Sequence, residues 1–157
     1  MTAFLESLEQ LSISTWVHES TSVFGYPTIL LLHVIGMAVV VGISGVISLR
    51  LLDGAPRAEV QPLERLYPLI WWGFAVNAAT GTALLLASAS TRLVDPTFYV
   101  KMIFIFAGIT ILQRIRSKVF RNSLSGEALP EGSKALAWAG LVCWAGAVTA
   151  GRLLAYI

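Results

Sequence analysis

The sequence predicts an all-α fold, an integral membrane four-helix bundle preceded by an amphipathic amino-terminal segment. Composition gives the first sign. Of 157 residues, 56% are hydrophobic and only 13% charged, against roughly 25% charged in ordinary globular chains, and the mean hydropathy is +0.75. A water-soluble domain of this size has too little interior to hide that much apolar side chain, so lipid must cover the rest. The second sign is four apolar stretches, each near the roughly 20 residues needed to cross a hydrocarbon core. The third is the placement of Lys and Arg, which concentrate in two of the connections.

The chain divides into residues 1–24 and a membrane domain, residues 25–157. In the first part Phe4, Leu5, Leu8 and Leu11 recur at helical spacing, with Glu6, Glu9 and Gln10 between them. That pattern predicts a short amphipathic helix lying in the membrane interface. Ile13, Trp16 and Val17 suggest a second helical piece before the turn at Gly25-Tyr26-Pro27. This start lacks the basic residues of a cleavable signal peptide, so the first span is expected to direct insertion.

The spans are expected at about 26–52, 66–89, 97–116 and 135–157. The first is overlong and should tilt or protrude. The third is the shortest by apolar count and should borrow a turn from residues 113–118. Pro27, Pro68 and Pro96 fall near helix starts, where a missing N–H costs nothing. Spans two and four share a pattern of Trp, small residues, Gly and aliphatics (Trp72, Gly81, Leu84; Trp144, Gly151, Leu153), compatible with two tandem hairpins.

Orientation follows from the basic residues. The link between the first two spans carries Arg50, Arg57 and Arg65; the link between the last two carries Arg114, Arg116, Lys118, Arg121 and Lys134. The opposite side has only Arg92, Lys101 and Arg152. The positive-inside bias then puts both links in the cytoplasm and both termini in the periplasm of a bacterial inner membrane. Basic residues confined to short links do not suggest nucleic-acid binding. A single cysteine, Cys143, excludes an intrachain disulfide and a CxxC motif. No Ser/His/Asp set, phosphate loop or paired intramembrane carboxylates appear, which disfavours a hydrolase, an ATPase or a carboxylate-based proton pump.

Candidate chemistry gathers at one depth. His33 lies seven residues into the first span, roughly 8–10 Å below its boundary at about 1.5 Å per residue. Arg152, Lys101, Thr80 and Thr82 approach the same layer from the other spans. Ionisable groups at that depth are costly and usually face the bundle or a ligand. An anion, such as a haem propionate or a phospholipid head group, would satisfy the two cations. Gly36, one turn from His33, would leave clearance for a porphyrin face, and a neutral imidazole is a good iron ligand. The leading expectation is therefore a small electron-transfer subunit binding haem b, with His33 as axial ligand, Lys101 and Arg152 as propionate partners, Gly36 as clearance, and Thr80 and Thr82 nearby. His18 is the remaining histidine and a candidate second metal ligand, although fifteen positions separate it from His33.

Blander readings stand beside these. His33 could simply bond Thr80 or Thr82, the two cations could snorkel to head groups, and the glycines could serve helix packing. Asn77, near the middle of span two, reads as glue between helices. Two alternative functions follow. One is a cofactor-free accessory subunit of a membrane complex, or a homo-oligomer, that associates through Gly42 and Gly45. The other is passage of a metal ion or small solute along His33, Asn77 and Thr80.

The stretch Phe24-Gly25-Tyr26-Pro27, His33 with Gly36, Leu49-Arg50-Leu51-Leu52, Trp72-Gly73-Phe74, Thr80-Gly81, and Phe98 with Lys101 resembles a family of short four-helix bacterial inner-membrane proteins of unassigned activity. The match covers about residues 16–116, and the family's acidic residue before the Leu-Arg-Leu stretch is Ser48 here. More loosely, the arrangement is similar to membrane cytochromes b and copper-resistance membrane proteins. That resemblance implies four helices and a histidine ligand, carried over to His33.

Overall fold

A computed structural model describes residues 25–121, 129–154 and 156. The amphipathic segment expected over residues 1–24, including His18, lies outside the described residues. Among those described, all regular structure is helical. Four helices are long and apolar enough to cross a membrane, so the chain is a multi-pass helical membrane protein.

Helix α1, Tyr26–Leu52, has 27 residues and starts on Pro27. Its near-continuous apolar run leaves no polar face, as a lipid-facing helix requires. It stops where Asp53 and Gly54 follow, the glycine at φ +69° turning the chain out of the helix. A helical turn, Arg57–Val60, and a tight 3-10 segment, Gln61–Leu66, lead into α2, Tyr67–Leu86. The second helix ends three residues short of the expected 89. Ser88 leaves helical geometry (φ −144°, ψ 41°) before a short turn at Ala89–Arg92.

Helix α3, Pro96–Ile115, is capped by Asp95, whose carboxylate accepts the Thr97 N–H at 2.7 Å. Beyond Ile115 the chain widens into a π-helical segment, Arg116–Arg121. The crossing stretch therefore reaches Phe120, and the short third span does take its extra length from the residues that follow it. Helix α4, Ser133–Leu153, has 21 residues and follows Gly132 at φ +82°.

Packing sets the shape of the bundle. Helix α1 lies between α2 and α4, and α3 packs on α4; α2 and α3 make no extended contact with each other. The two ends of the bundle consequently differ. At the end that carries the basic links, Ile47, Leu51, Tyr67, Ile70, Leu112 and Ile115 form a closed apolar core with Val119 and Phe120. There Tyr67 bridges the gap from α2: its hydroxyl donates to the Leu112 carbonyl at 3.3 Å and its ring meets Phe120 edge-on. The Arg116 guanidinium lies 5.1 Å from the centre of the same ring, within cation–π range. Large apolar side chains such as Leu31, Trp72, Ile103, Phe106, Trp138 and Val142 point outward, exposed. In a bilayer that surface faces lipid at no cost.

Candidate functional site

The half of the bundle away from the basic links holds the polar cluster. Its foundation is the α1–α2 seam. A Cβ on Gly36 would fall 2.8 Å from the Gly73 carbonyl oxygen and 3.0 Å from the Asn77 backbone nitrogen. A Cβ on Gly73 would fall 2.9 Å from a Val39 methyl and 3.1 Å from the Gly36 carbonyl oxygen. The two backbones touch through this glycine pair, the close approach that small residues permit between membrane helices.

That approach brings backbone polar groups of one helix within reach of side chains on the other. The Asn77 side-chain amide donates to the His33 carbonyl at 2.8 Å. In return, His33 Nδ1 lies 3.1 Å from the Asn77 carbonyl oxygen and 3.1 Å from Thr80 Oγ1. A carbonyl can only accept, so Nδ1 carries the proton. The Thr80 hydroxyl sends its own proton to the Val76 carbonyl at 2.6 Å, leaving its oxygen free to accept from the imidazole. In its neutral form the ring then has an unprotonated Nε2. The ring rests on Gly81, where a Cβ would come within 3.0 Å of Cε1. Gly73, Asn77 and Gly81 recur every fourth residue, so one face of α2 presents room, donor and room in succession.

The α3–α4 seam is built differently. Gly108 receives the Trp144 ring and Gly146 the Phe104 ring, with a hypothetical Cβ at 3.2 and 2.7 Å from ring atoms. Lys101 lays its stem along Gly151, whose Cβ would meet the lysine Cε at 3.4 Å. Its ammonium thus approaches the carboxyl-terminal turn of α4, the negative end of that helix dipole.

Between the two seams lies a pocket lined by all four helices. His33, Met37 and Val40 come from α1, Phe74 and Asn77 from α2, Lys101 and Ile105 from α3, and Trp144 and Ala147 from α4. Its cavity volume is about 30 Å³. At roughly 10–15 Å³ per water, it would take two or three ordered waters. Among the described residues no carboxylate lines it.

Of the residues singled out in the sequence, the structure brings together His33, Thr80 and Lys101, with Asn77 joining them. It places the others elsewhere. Gly36 serves the α1–α2 backbone contact instead of clearing a cofactor face. Thr82 donates to the Ala78 carbonyl at 2.9 Å on the exposed side of α2. Arg152 is exposed, its guanidinium 5.3 Å from the Tyr156 ring centre, and does not line the pocket. His18 lies outside the described residues. Gly73, Gly81 and Trp144 were missed as parts of the site. The four-residue repeat on α2 was the available signal for the first two; nothing local marks Trp144.

These positions decide whether a haem fits. A porphyrin is a rigid plate that must slide between helices beside its ligand. The seam next to His33 is closed by backbone contact, and the enclosed space suits a head group of a few atoms. Lys101 and Arg152 do not pair around a common point. The residues as packed do not fit a haem, and among the described residues no three His, Cys, Asp or Glu side chains gather as a metal site.

Fold and pocket together define a class: a multi-pass helical membrane protein with a small, basic, otherwise apolar pocket inside its bundle. No protein-family model, curated protein or solved structure matches the chain.

Proposed function

We propose that this protein is a bacterial inner-membrane binding protein for a small acid-headed ligand, oriented with its basic links in the cytoplasm and its termini in the periplasm. One observation carries this reading: His33 and Lys101 line the same apolar pocket, and among the described residues no carboxylate lines it with them. An ammonium held among apolar walls calls for a negative partner, and an imidazole with a bare Nε2 calls for a proton donor. A carboxylic acid supplies both in turn: its proton passes to Nε2, and the carboxylate left behind accepts from the imidazolium on one oxygen and from the Lys101 ammonium on the other. The excess of Lys and Arg on the two long links supports the orientation, which puts the pocket in the outer leaflet.

The packed core at the basic end favours binding over passage, because Ile47, Leu51, Tyr67, Ile115 and Phe120 leave no polar path on the cytoplasmic side. Carboxyl-labelled [1-13C]dodecanoate tests the reading. With purified protein it should give a bound carboxyl resonance that saturates near one per chain and disappears in Lys101→Met. Unchanged binding in that variant, or no saturable signal, would refute the assignment.

A second reading has its own observation. A Cβ added at Gly42 or Gly45 would meet nothing within 4 Å among the described residues, so none of these uses the space beside the two glycines. They would let a second copy, or another subunit of a membrane complex, approach α1. On that reading Gly42→Leu dissociates the assembly without changing the fold of the single chain.

A further inference from the structure

We infer that the pocket is entered sideways, through a window between α2 and α3, and that its ligand is a long-chain monocarboxylate drawn from the bilayer. This rests on the acid-head reading above and adds where the ligand comes from and what its tail must be.

The order of packing creates the window. Because α1 and α4 are each other's neighbours, α2 and α3 flank the pocket without closing on one another. Tyr67 bars the gap at the basic end through its bond to Leu112 and its contact with Phe120. The connection through Ala89–Arg92 joins the two helices at the other end. The opening left between them has Phe74 on one post and Ile105 on the other, both half-buried although both line an interior pocket. It lies within the span, so it faces acyl chains.

Routes from water are poorer. The basic half is filled by the apolar core. Towards the opposite end, the Lys101 stem packs against Gly151 and occupies the space beside α4.

The size of the cavity sets the ligand. About 30 Å³ accepts a carboxyl group and little more, so a longer molecule must leave its remainder outside, between the helices. Walls of Met37, Val41, Phe74, Ile105 and Val148 offer no hydrogen bonds to a polar tail. A molecule with one acid head and an alkyl chain matches: the head is held at His33 and Lys101, and the chain leaves through the window into lipid.

Protein in phosphatidylcholine nanodiscs would be titrated with [1-13C]dodecanoate and with [1-13C]butyrate, which carries the same head but stays in water. The expected result is a bound carboxyl signal for both, with dodecanoate saturating at a total concentration at least about a hundredfold lower, since each methylene favours the apolar phase by roughly 0.8 kcal/mol. A nitroxide placed on the chain of a bound long-chain carboxylate should broaden the amide resonances around Phe74 and Ile105 together. Excess dodecanoate should restore them. Equal affinities for the two acids, or broadening confined to one face of α1, would overturn the window while leaving the acid-head reading intact. Absence of a bound signal from either acid would remove both.

Discussion

The two ends of this bundle are made from the same kinds of apolar residue yet are packed to opposite effect. At the basic end, branched and aromatic side chains from all four spans interlock around Ile47, Leu51 and Tyr67. At the other end, glycines bring helices together in pairs and leave space between the pairs. The lesson concerns what drives association in lipid. Burying a leucine gains little where the solvent is itself hydrocarbon, so stability comes from close contact and polar exchange. The basic end uses contact to make a solid core. The other end uses glycine contact and the His33–Asn77 exchange at the seams, and so can keep an open interior.

Substitutions can break that comparison. The largest effect is expected at Ile47, which is fully buried in the solid end. For Ile47→Ala the transfer cost is small, because separated helices would expose residue 47 to lipid. The lost packing still costs about 1–3 kcal/mol. Met37→Ala, on the pocket wall, should cost less than about 0.5 kcal/mol because open space already lies beyond it. Steric-trap unfolding in bicelles would measure both; equal losses would mean the two ends are packed alike.

Asn77→Val comes next. It removes the donor to the His33 carbonyl while keeping similar bulk, and an exchange of this kind contributes roughly 0.6–1.7 kcal/mol within a membrane. The His33 ring should lose its fixed tautomer, visible as a changed 15N shift pattern of the imidazole. A variant with native stability and an unchanged ring spectrum would show that the α1–α2 seam depends on its glycines alone.

The smallest effect is at the pocket-side surface. Hydrogen bonds donated by the Thr97 hydroxyl and backbone N–H hold the Asp95 carboxyl below the ordinary aspartate range, against a smaller opposing effect of desolvation, and Arg92 adds the least, in the lowering direction. A depressed carboxyl favours the fold above its unfolded value of about 3.9. The contribution fades as pH falls below that point and through the lower folded value. Hydrogen exchange at the first turn of α3 should rise on acidification through that range, and Asp95→Asn should abolish the rise. Exchange that stays flat with pH would remove the cap from the account.

How far the sequence revealed all this depends on what each feature requires. Spans and their starts near Pro27, Pro68 and Pro96 need only local pattern, and the four crossing helices follow the apolar runs closely. The break at Ser88 was invisible because Ala, Ser and Leu are tolerated in a helix and only the returning chain imposes the turn. Within the site, depth alone brought His33, Lys101 and Thr80 to one level. Depth carries no azimuth, so Arg152 and Thr82 were counted at that level although they face outward. Gly36 was read as cofactor clearance because a sequence does not show which neighbour occupies the space a glycine leaves; here it is the backbone of Gly73 and Asn77.

The unequal lengths of α1 and α4 have a practical consequence. At about 1.5 Å per residue, a helix of 27 residues is some 40 Å long, against about 32 Å for one of 21, and a hydrocarbon slab is roughly 30 Å thick. The shorter helix matches the slab while its longer neighbour must lean. A thinner membrane therefore acts first on α1, the helix that carries His33. Ligand affinities measured in short-chain and long-chain lipids are then two different quantities, and acyl length belongs beside pH and salt among the conditions held constant.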